Sequence, residues 1–216
     1  MVKAVEKADL PFLLQEVPAA IGHSLEGIDT VARLLRSMNE YAHPANRERQ
    51  IVELNRIVET ALTVCRGQWK HVADAVTELD PSLPPVVCAP DDLLQVLANL
   101  IINAAHAIEE RLGDAPAGKG TITIRTGHRA GGVEIHVEDT GTGIPEQIRD
   151  RVFDRFFTSK SPGRGTGQGL AIVRSIVAER CGGTIHFTTR VGQGTTFVVR
   201  LPIESDAVLC KGPVKE

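Results

Sequence analysis

The first regular pattern in the chain is a seven-residue repeat of mostly apolar side chains over residues 10–42. One row is Leu14, Ile21, Ile28, Leu35 and Ala42, and the other is Leu10, Val17, Ser24, Val31 and Met38. A seam this narrow is typical of a coiled coil or a helical bundle. Residues 1–45 are therefore predicted to form a long dimerisation helix that pairs with a second copy. The alternative is a helix packed on its own domain.

From residue 46 to residue 204, short strand patterns alternate with helical patterns. Strands are predicted at 51–54, 72–78, 86–88, 121–126, 133–139, 184–189 and 195–201, and helices at 56–66, from Asp91 onward and at 170–180. Asn55 is predicted to cap the first of these helices. Gly131-Gly132 and the Gly192–Gly194 turn predict two hairpins. The order predicts an α+β fold, a two-layer sandwich in which helices cover one face of a mixed sheet. Residues 205–216 are predicted to be a C-terminal tail.

The helix that begins at Asp91 is strongly apolar, yet it carries Asn99 and Asn103 one turn apart on one face. Asparagine is a poor helix former and is costly to bury without partners. The pair therefore indicates a shared polar ligand, and neutral oxygen donors suit Mg²⁺. The alternative is that both amides bond to neighbouring backbone.

The stretch from Val137 to Ile172 holds two glycine turns about twenty residues apart. Asp139 ends an apolar strand and is followed by Gly141-Thr-Gly143. A second run of glycines, from Gly163 to Gly169, leads into an amphipathic helix. Such turns, with Lys160 between them, favour a backbone that closes over a polyphosphate.

Composition excludes several other classes of protein. The net charge of −3 gives no argument for nucleic acid as a partner. Four scattered cysteines favour a reducing compartment. Because the sequence has no signal-like or membrane-spanning segment, the chain is expected to be cytoplasmic. A longer parent protein could still be membrane-anchored. The P-loop motif, the dinucleotide-binding glycine motif and the protein-kinase motifs are absent from the sequence.

Four patches, taken together and in order, resemble the conserved boxes of sensor histidine kinases. They are Asn99-Leu-Ile-Ile-Asn103-Ala, Asp139-Thr-Gly141-Thr-Gly143-Ile, Phe153-Asp-Arg-Phe156-Phe157-Thr-Ser-Lys160 and Gly163-Arg-Gly165-Thr-Gly167-Gln-Gly169-Leu. The superfamily also holds gyrase, the ninety-kilodalton heat-shock chaperones and mismatch-repair ATPases. The resemblance covers residues 50–202 and implies the Bergerat-type ATP-binding fold, with ATP and Mg²⁺ as ligands. The stretch from Asp9 to Met38 resembles the second helix of the dimerising hairpin in the subgroup allied to the nitrogen-regulation sensors.

The resemblance also implies a role for individual residues. Asp139 would accept a hydrogen bond from the adenine amino group, and Thr195 would assist at the base directly or through water. Asn103 would bind Mg²⁺, and Asn99 and Lys160 would be the catalytic residues beside the γ-phosphate. The other nucleotide-binding candidates are His106, Gly141, Gly143, Ile144, Thr158, Gly165, Thr166, Gly167, Gly169 and Leu170. Phe153, Phe156 and Phe157 would be packing residues that anchor a mobile lid.

For three of these residues a simpler interpretation remains open. Asp139 could cap its turn without binding a ligand. His106 could be an exposed helix residue, and Lys160 could be a solvated loop lysine.

Two departures from the family pattern bear on the chemistry. Hydrolytic relatives carry a glutamate that activates water four residues before the magnesium asparagine, and Asn99 at that position cannot act as a general base. The chain also lacks the box that carries the phosphoacceptor histidine: His23 stands without the expected acid next to it, and His43 is a weaker candidate still. Phosphoryl transfer to a histidine outside this chain is therefore expected.

The expected partners are a second copy of the chain, an upstream sensor and acceptor-helix segment, and the receiver domain of a response regulator. Two other functions remain open at this point: a serine kinase of the same superfamily, and a non-catalytic module that changes conformation when ATP binds.

Overall fold

The computed structural model describes residues 16–17, 48–113, 118–129, 131–159 and 166–203. The chain divides into two compact units, Met1–Arg47 and Glu48–Glu216. In the first unit only the helical pair Glu16 and Val17 is described. The predicted dimerisation helix otherwise lies outside the described residues, as do His23, Lys160, Gly165 and the tail at 205–216.

The second unit is built around a mixed five-stranded sheet. Its elements are β1 (Gln50–Val52), α1 (Leu54–Val64), α2 (Arg66–Trp69), β2 (Ala73–Glu78), β3 (Val86–Cys88), α3 (Pro90–Leu112), β4 (Gly120–Arg129), β5 (Gly132–Asp139), a 3₁₀ helix (Glu146–Arg151), α4 (Gly169–Ser175), a π-helical turn (Ile176–Arg180), β6 (Thr184–Arg190) and β7 (Gly194–Pro202). The sheet order is β2-β4-β5-β7-β6, with β2 parallel to β4 and the other pairs antiparallel. β1 and β3 form a separate antiparallel pair.

The core lies between one face of the sheet and helix α3, which packs on β4, β5 and β7. Side chains alternate along the strands, so Ile122, Ile124, Ile135 and Val137 all point into this core. From the helix side, Leu93, Leu97, Leu100, Ile101 and Ile108 are almost fully buried. Each such side chain contributes about 2 kcal/mol of apolar burial. The predicted α+β sandwich is confirmed, and α3 is the element that places site residues against the sheet.

Three local expectations are corrected. Leu54 begins α1 and does not belong to the first strand. Asn55 does not cap α1: its side chain donates to the Asp80 carbonyl at 2.8 Å and accepts from Thr126 Oγ1 at 2.8 Å. Those partners are distant in sequence, so tertiary contacts hold the amide and a local cap does not. The predicted helix at 170–180 changes from α to π at Ile176.

Candidate functional site

Asp139 is a buried carboxylate at the end of β5, with 5% of its surface exposed. The Gly141 N–H donates to Asp139 Oδ1 at 2.7 Å, and the Thr195 N–H donates to the same carboxylate. Burial nevertheless raises the pKa of Asp139 from 3.8 to about 6. Within the described part of the chain no basic side chain pairs with it. Because this buried carboxylate is poorly solvated and has few hydrogen-bond donors to stabilise its charge, it is able to accept a further hydrogen bond from a ligand.

The turn after Asp139 is closely enclosed by α3 and by the β6–β7 hairpin. A methyl group at Gly141 would lie 2.6 Å from Ala107 Cβ and 2.7 Å from Asp139 Oδ1. Gly143 has a positive φ of 72° and abuts the Arg190 carbonyl. Two backbone hydrogen bonds hold the turn in place: the Thr142 N–H donates to the Ala107 carbonyl at 3.2 Å, and the Thr142 carbonyl accepts from the Gly192 N–H at 2.7 Å. Glycine is required at both positions because a Cβ would overlap Ala107 at Gly141 and the Arg190 carbonyl at Gly143.

Thr195 faces Asp139 across the β5–β7 ladder and is also 5% exposed. Its hydroxyl lies 3.0 Å from Thr189 Oγ1, which in turn accepts the Ile144 N–H at 2.8 Å. The structure therefore brings together three predicted residues, Asp139, Ile144 and Thr195. Thr189 was not among the predicted site residues, and its place in this network depends on a contact between residues 45 positions apart.

The face of α3 that carries Asn99 and Asn103, here called the asparagine face, lies against the start of α4. A methyl group at Gly169 would sit 3.1 Å from Asn99 Oδ1 and 3.8 Å from Asn103 Nδ2. Asn99 Nδ2 donates to the Gln95 carbonyl at 3.0 Å, so part of its amide is used within its own helix. This agrees with the alternative in which the asparagine amides bond to neighbouring backbone. The Asn99 amide oxygen points towards Gly169. His106 is half-buried on α3, and Leu170 is packed against the core at the start of α4.

The phenylalanine-rich segment, residues 153–157, was predicted to supply three packing residues, and in the part of the chain that the structure describes only two of its phenylalanines pack against other side chains. Phe153 packs against Phe187 and Phe197, with ring centroids 6.0 and 6.4 Å apart, and Phe157 lies under the Arg151 guanidinium at 4.5 Å. Phe156 is 71% exposed with a positive φ of 65°, so its prediction as a packing residue was wrong. Thr158 and Thr166 are exposed at the two ends of a segment, 160–165, that lies outside the described residues.

The comparisons with known proteins agree with this geometry. Residues 88–205 match the model of the family described as histidine kinase-, DNA gyrase B- and HSP90-like ATPase. The chain belongs to this family. The match covers α3, the Asp139 turn, the glycine run and the β6–β7 hairpin, the elements that build the site.

Curated relatives narrow the resemblance to sensor histidine kinases. The chain is 34% identical over 177 residues to the sensor histidine kinase ZraS of Escherichia coli, an alignment that covers 81% of this chain and 36% of that protein. It is 32% identical over 199 residues to the sensory histidine kinase/phosphatase NtrB of Azospirillum brasilense, with 86% and 47% covered. The predicted relation to histidine kinase catalytic domains, including the nitrogen-regulation group, is confirmed. The chain spans less than half the length of these relatives.

A solved structure shows the same fold. The nucleotide-free catalytic domain of histidine kinase ThkA is 29% identical, covers 72% of this chain and 95% of its own, and superposes with a TM-score of 0.61. Among the described residues there is no helix with the length and apolarity needed to cross a bilayer.

Proposed function

We propose that this chain binds Mg-ATP and transfers the γ-phosphoryl group to a histidine on an acceptor helix. The observation that carries the proposal is the buried Asp139 carboxylate, enclosed by the Gly141–Gly143 turn and Thr195. An ionised carboxylate that is short of donors accepts well from the adenine amino group. ATP binding itself is expected of the family, and the residue assignments are our proposal.

The phosphates would lie between the asparagine face of α3 and the start of α4. Asn103 would hold Mg²⁺ through its amide oxygen, with Asn99 beside it, because neutral oxygen donors suit an ion that keeps water and phosphate oxygens. The N–H groups of Gly165, Gly167 and Gly169 would face the phosphates, with Thr158 and Thr166 at the edges. Lys160 and His106 would reach phosphate oxygens. Bound Mg²⁺ supplies charge neutralisation.

In the reaction an imidazole nitrogen of the acceptor histidine attacks the γ-phosphorus. The bond from that phosphorus to the bridging oxygen breaks, and ADP leaves. Asn99 cannot take a proton from water, so hydrolysis should be slow relative to transfer. The chain would position the reactants and neutralise charge. A second copy of the chain, an upstream sensor and acceptor segment, and a response regulator receiver domain are the proposed partners.

The test is incubation of the full chain with γ-labelled Mg-ATP, alone and with a separate acceptor-helix fragment that carries a histidine. We expect acid-labile label on the fragment and little or none on the chain alone. The Asp139→Asn variant serves as the control and should transfer no label. Acid-stable label would indicate a serine kinase instead. ATP binding without label in either mixture would indicate a nucleotide-gated interaction module, and either result would contradict the proposal.

A further inference from the structure

The Thr189 hydroxyl connects the β6–β7 hairpin to the turn after Asp139, a segment 45 positions away in sequence. It lies near the end of β6, where it accepts the Ile144 N–H at 2.8 Å and donates to the Gly194 carbonyl at 3.1 Å. Its oxygen is also 3.0 Å from Thr195 Oγ1. One hydroxyl thus holds the turn after Asp139, the start of β7 and the side chain of Thr195.

The direction of these hydrogen bonds follows from counting protons. A threonine hydroxyl has one proton to donate and two lone pairs to accept with. The Gly194 carbonyl can only accept, so the Thr189 proton goes to Gly194. The contact with Thr195 then requires the Thr195 O–H to donate to Thr189. This leaves Thr195 Oγ1 with only lone pairs for any further partner.

We propose that Thr189 is a positioning residue for adenine recognition, acting through Thr195 and Ile144. This inference rests on the proposed function. By engaging the Thr195 proton, Thr189 makes Thr195 an acceptor beside the Asp139 carboxylate, which is also an acceptor. Two acceptors match the amino group of adenine, directly or through a water, and oppose the carbonyl that guanine presents at the same position. The bond to Ile144 keeps the turn in place beside them.

The experiment measures the affinities of ADP and GDP by competition against a fluorescent ADP analogue, using the full chain. Thr189→Val keeps the shape and removes the hydroxyl. It should weaken ADP binding about tenfold and GDP binding much less, because a part-buried hydrogen-bond network is lost on the adenine side. Thr189→Ser should restore the ratio of the two affinities. Thr188→Val, on the exposed neighbour of Thr189 in β6, is the matched control and should change neither affinity.

A double variant distinguishes positioning from a merely structural role. If Thr189 acts through Thr195, the losses of ADP affinity in Thr189→Val and Thr195→Val should not multiply when the two are combined. Equal losses for ADP and GDP, or losses that multiply fully, would overturn the inference. A wild-type chain that binds no ADP would instead overturn the proposed function, before any variant is compared.

A measurement on the wild-type protein covers the case in which Thr189→Val does not fold. The hydroxyl protons of Thr189 and Thr195 should both be observable by NMR without nucleotide, because each is held in a hydrogen bond. A Thr195 hydroxyl proton that exchanges with solvent too fast to be observed would refute the proposed direction of the bond.

Discussion

At the scale of single residues, Asp139 combines a cost in stability with the capacity to bind. Burial raises its pKa to about 6, above its ordinary value of 3.8, because the charged form is poorly solvated. The neutral form therefore stabilises the nucleotide-free protein at low pH. That contribution is complete below about pH 4 and is lost as the pH rises through 6. At neutral pH the protein maintains an ionised carboxylate that a nucleotide could use.

Asp139→Asn should remove this pH dependence and the binding together. We expect no detectable ATP binding at pH 7.5, with the fold retained. The free energy of unfolding of the variant, taken relative to that of wild type, should be higher (the variant more stable) at pH 7.5 than at pH 4.5 by about 2 kcal/mol. Urea titrations at the two pH values, followed by circular dichroism, measure this difference. The assignment of Asp139 to adenine fails if ATP affinity is unchanged.

At the scale of elements, the residues just before α4 pack against the phenylalanine-rich segment, residues 153–157. Gly167 has a φ of 66°, and a methyl group there would lie 2.6 Å from the Phe156 carbonyl oxygen and 2.8 Å from its Cα. Phe156 itself holds a positive φ, which is uncommon for a large side chain. Both residues therefore fix the point at which the glycine run meets α4 and the asparagine face of α3.

Gly167→Ala should disturb this junction, and Gly182→Ala supplies the matched control. Gly182 has nearly the same φ, 64°, but its nearest neighbour is the Pro202 side chain at 3.9 Å. The control should lose about 1 kcal/mol of stability from backbone strain and keep its nucleotide affinity. Gly167→Ala should lose more stability and bind ATP about tenfold more weakly, because backbone must move as well. Calorimetric titration and thermal melts compare the two. Equal losses of stability and of ATP affinity in the two variants would show that backbone strain alone, and not contact with Phe156, determines the effect of Gly167→Ala.

At the scale of the whole molecule, the unit from Glu48 onward has a core of its own. Its described core residues come from the β1–β3 pair, α1, α3, the five-stranded sheet, α4 and the π-helical turn. The heptad repeat of residues 10–42 stands apart from this core in sequence, and its pairing with a second copy remains a prediction.

Removing residues 1–43 should therefore yield a monomer that still binds nucleotide. A unit with its own core folds independently, and the apolar seam expected to pair two copies would be gone. Light scattering after size-exclusion chromatography gives the mass, and ADP titration gives the affinity relative to the full chain. A truncated protein that stays dimeric would refute the role of the seam.

Local patterns in the sequence predicted the α+β class, the two hairpins and the helix that carries Asn99 and Asn103. Asn55 and Phe156 were predicted wrongly because their surroundings depend on tertiary contacts. The partners of Asn55 come from the β2–β3 connection and from β4. Phe156 lies in an exposed turn, so its apolar side chain gave no guide to its position.

The sequence by itself determined the strands, the helices and the residue types of a nucleotide site, because periodicity and glycine turns are properties of neighbouring residues. Only the tertiary structure decided that Gly169 meets Asn99, that burial raises the pKa of Asp139, and that Thr189 holds Ile144 and Thr195. The physical reason is that desolvation and hydrogen bonds between distant segments depend on how the sheet and α3 pack. No local pattern encodes which side chains that packing brings together.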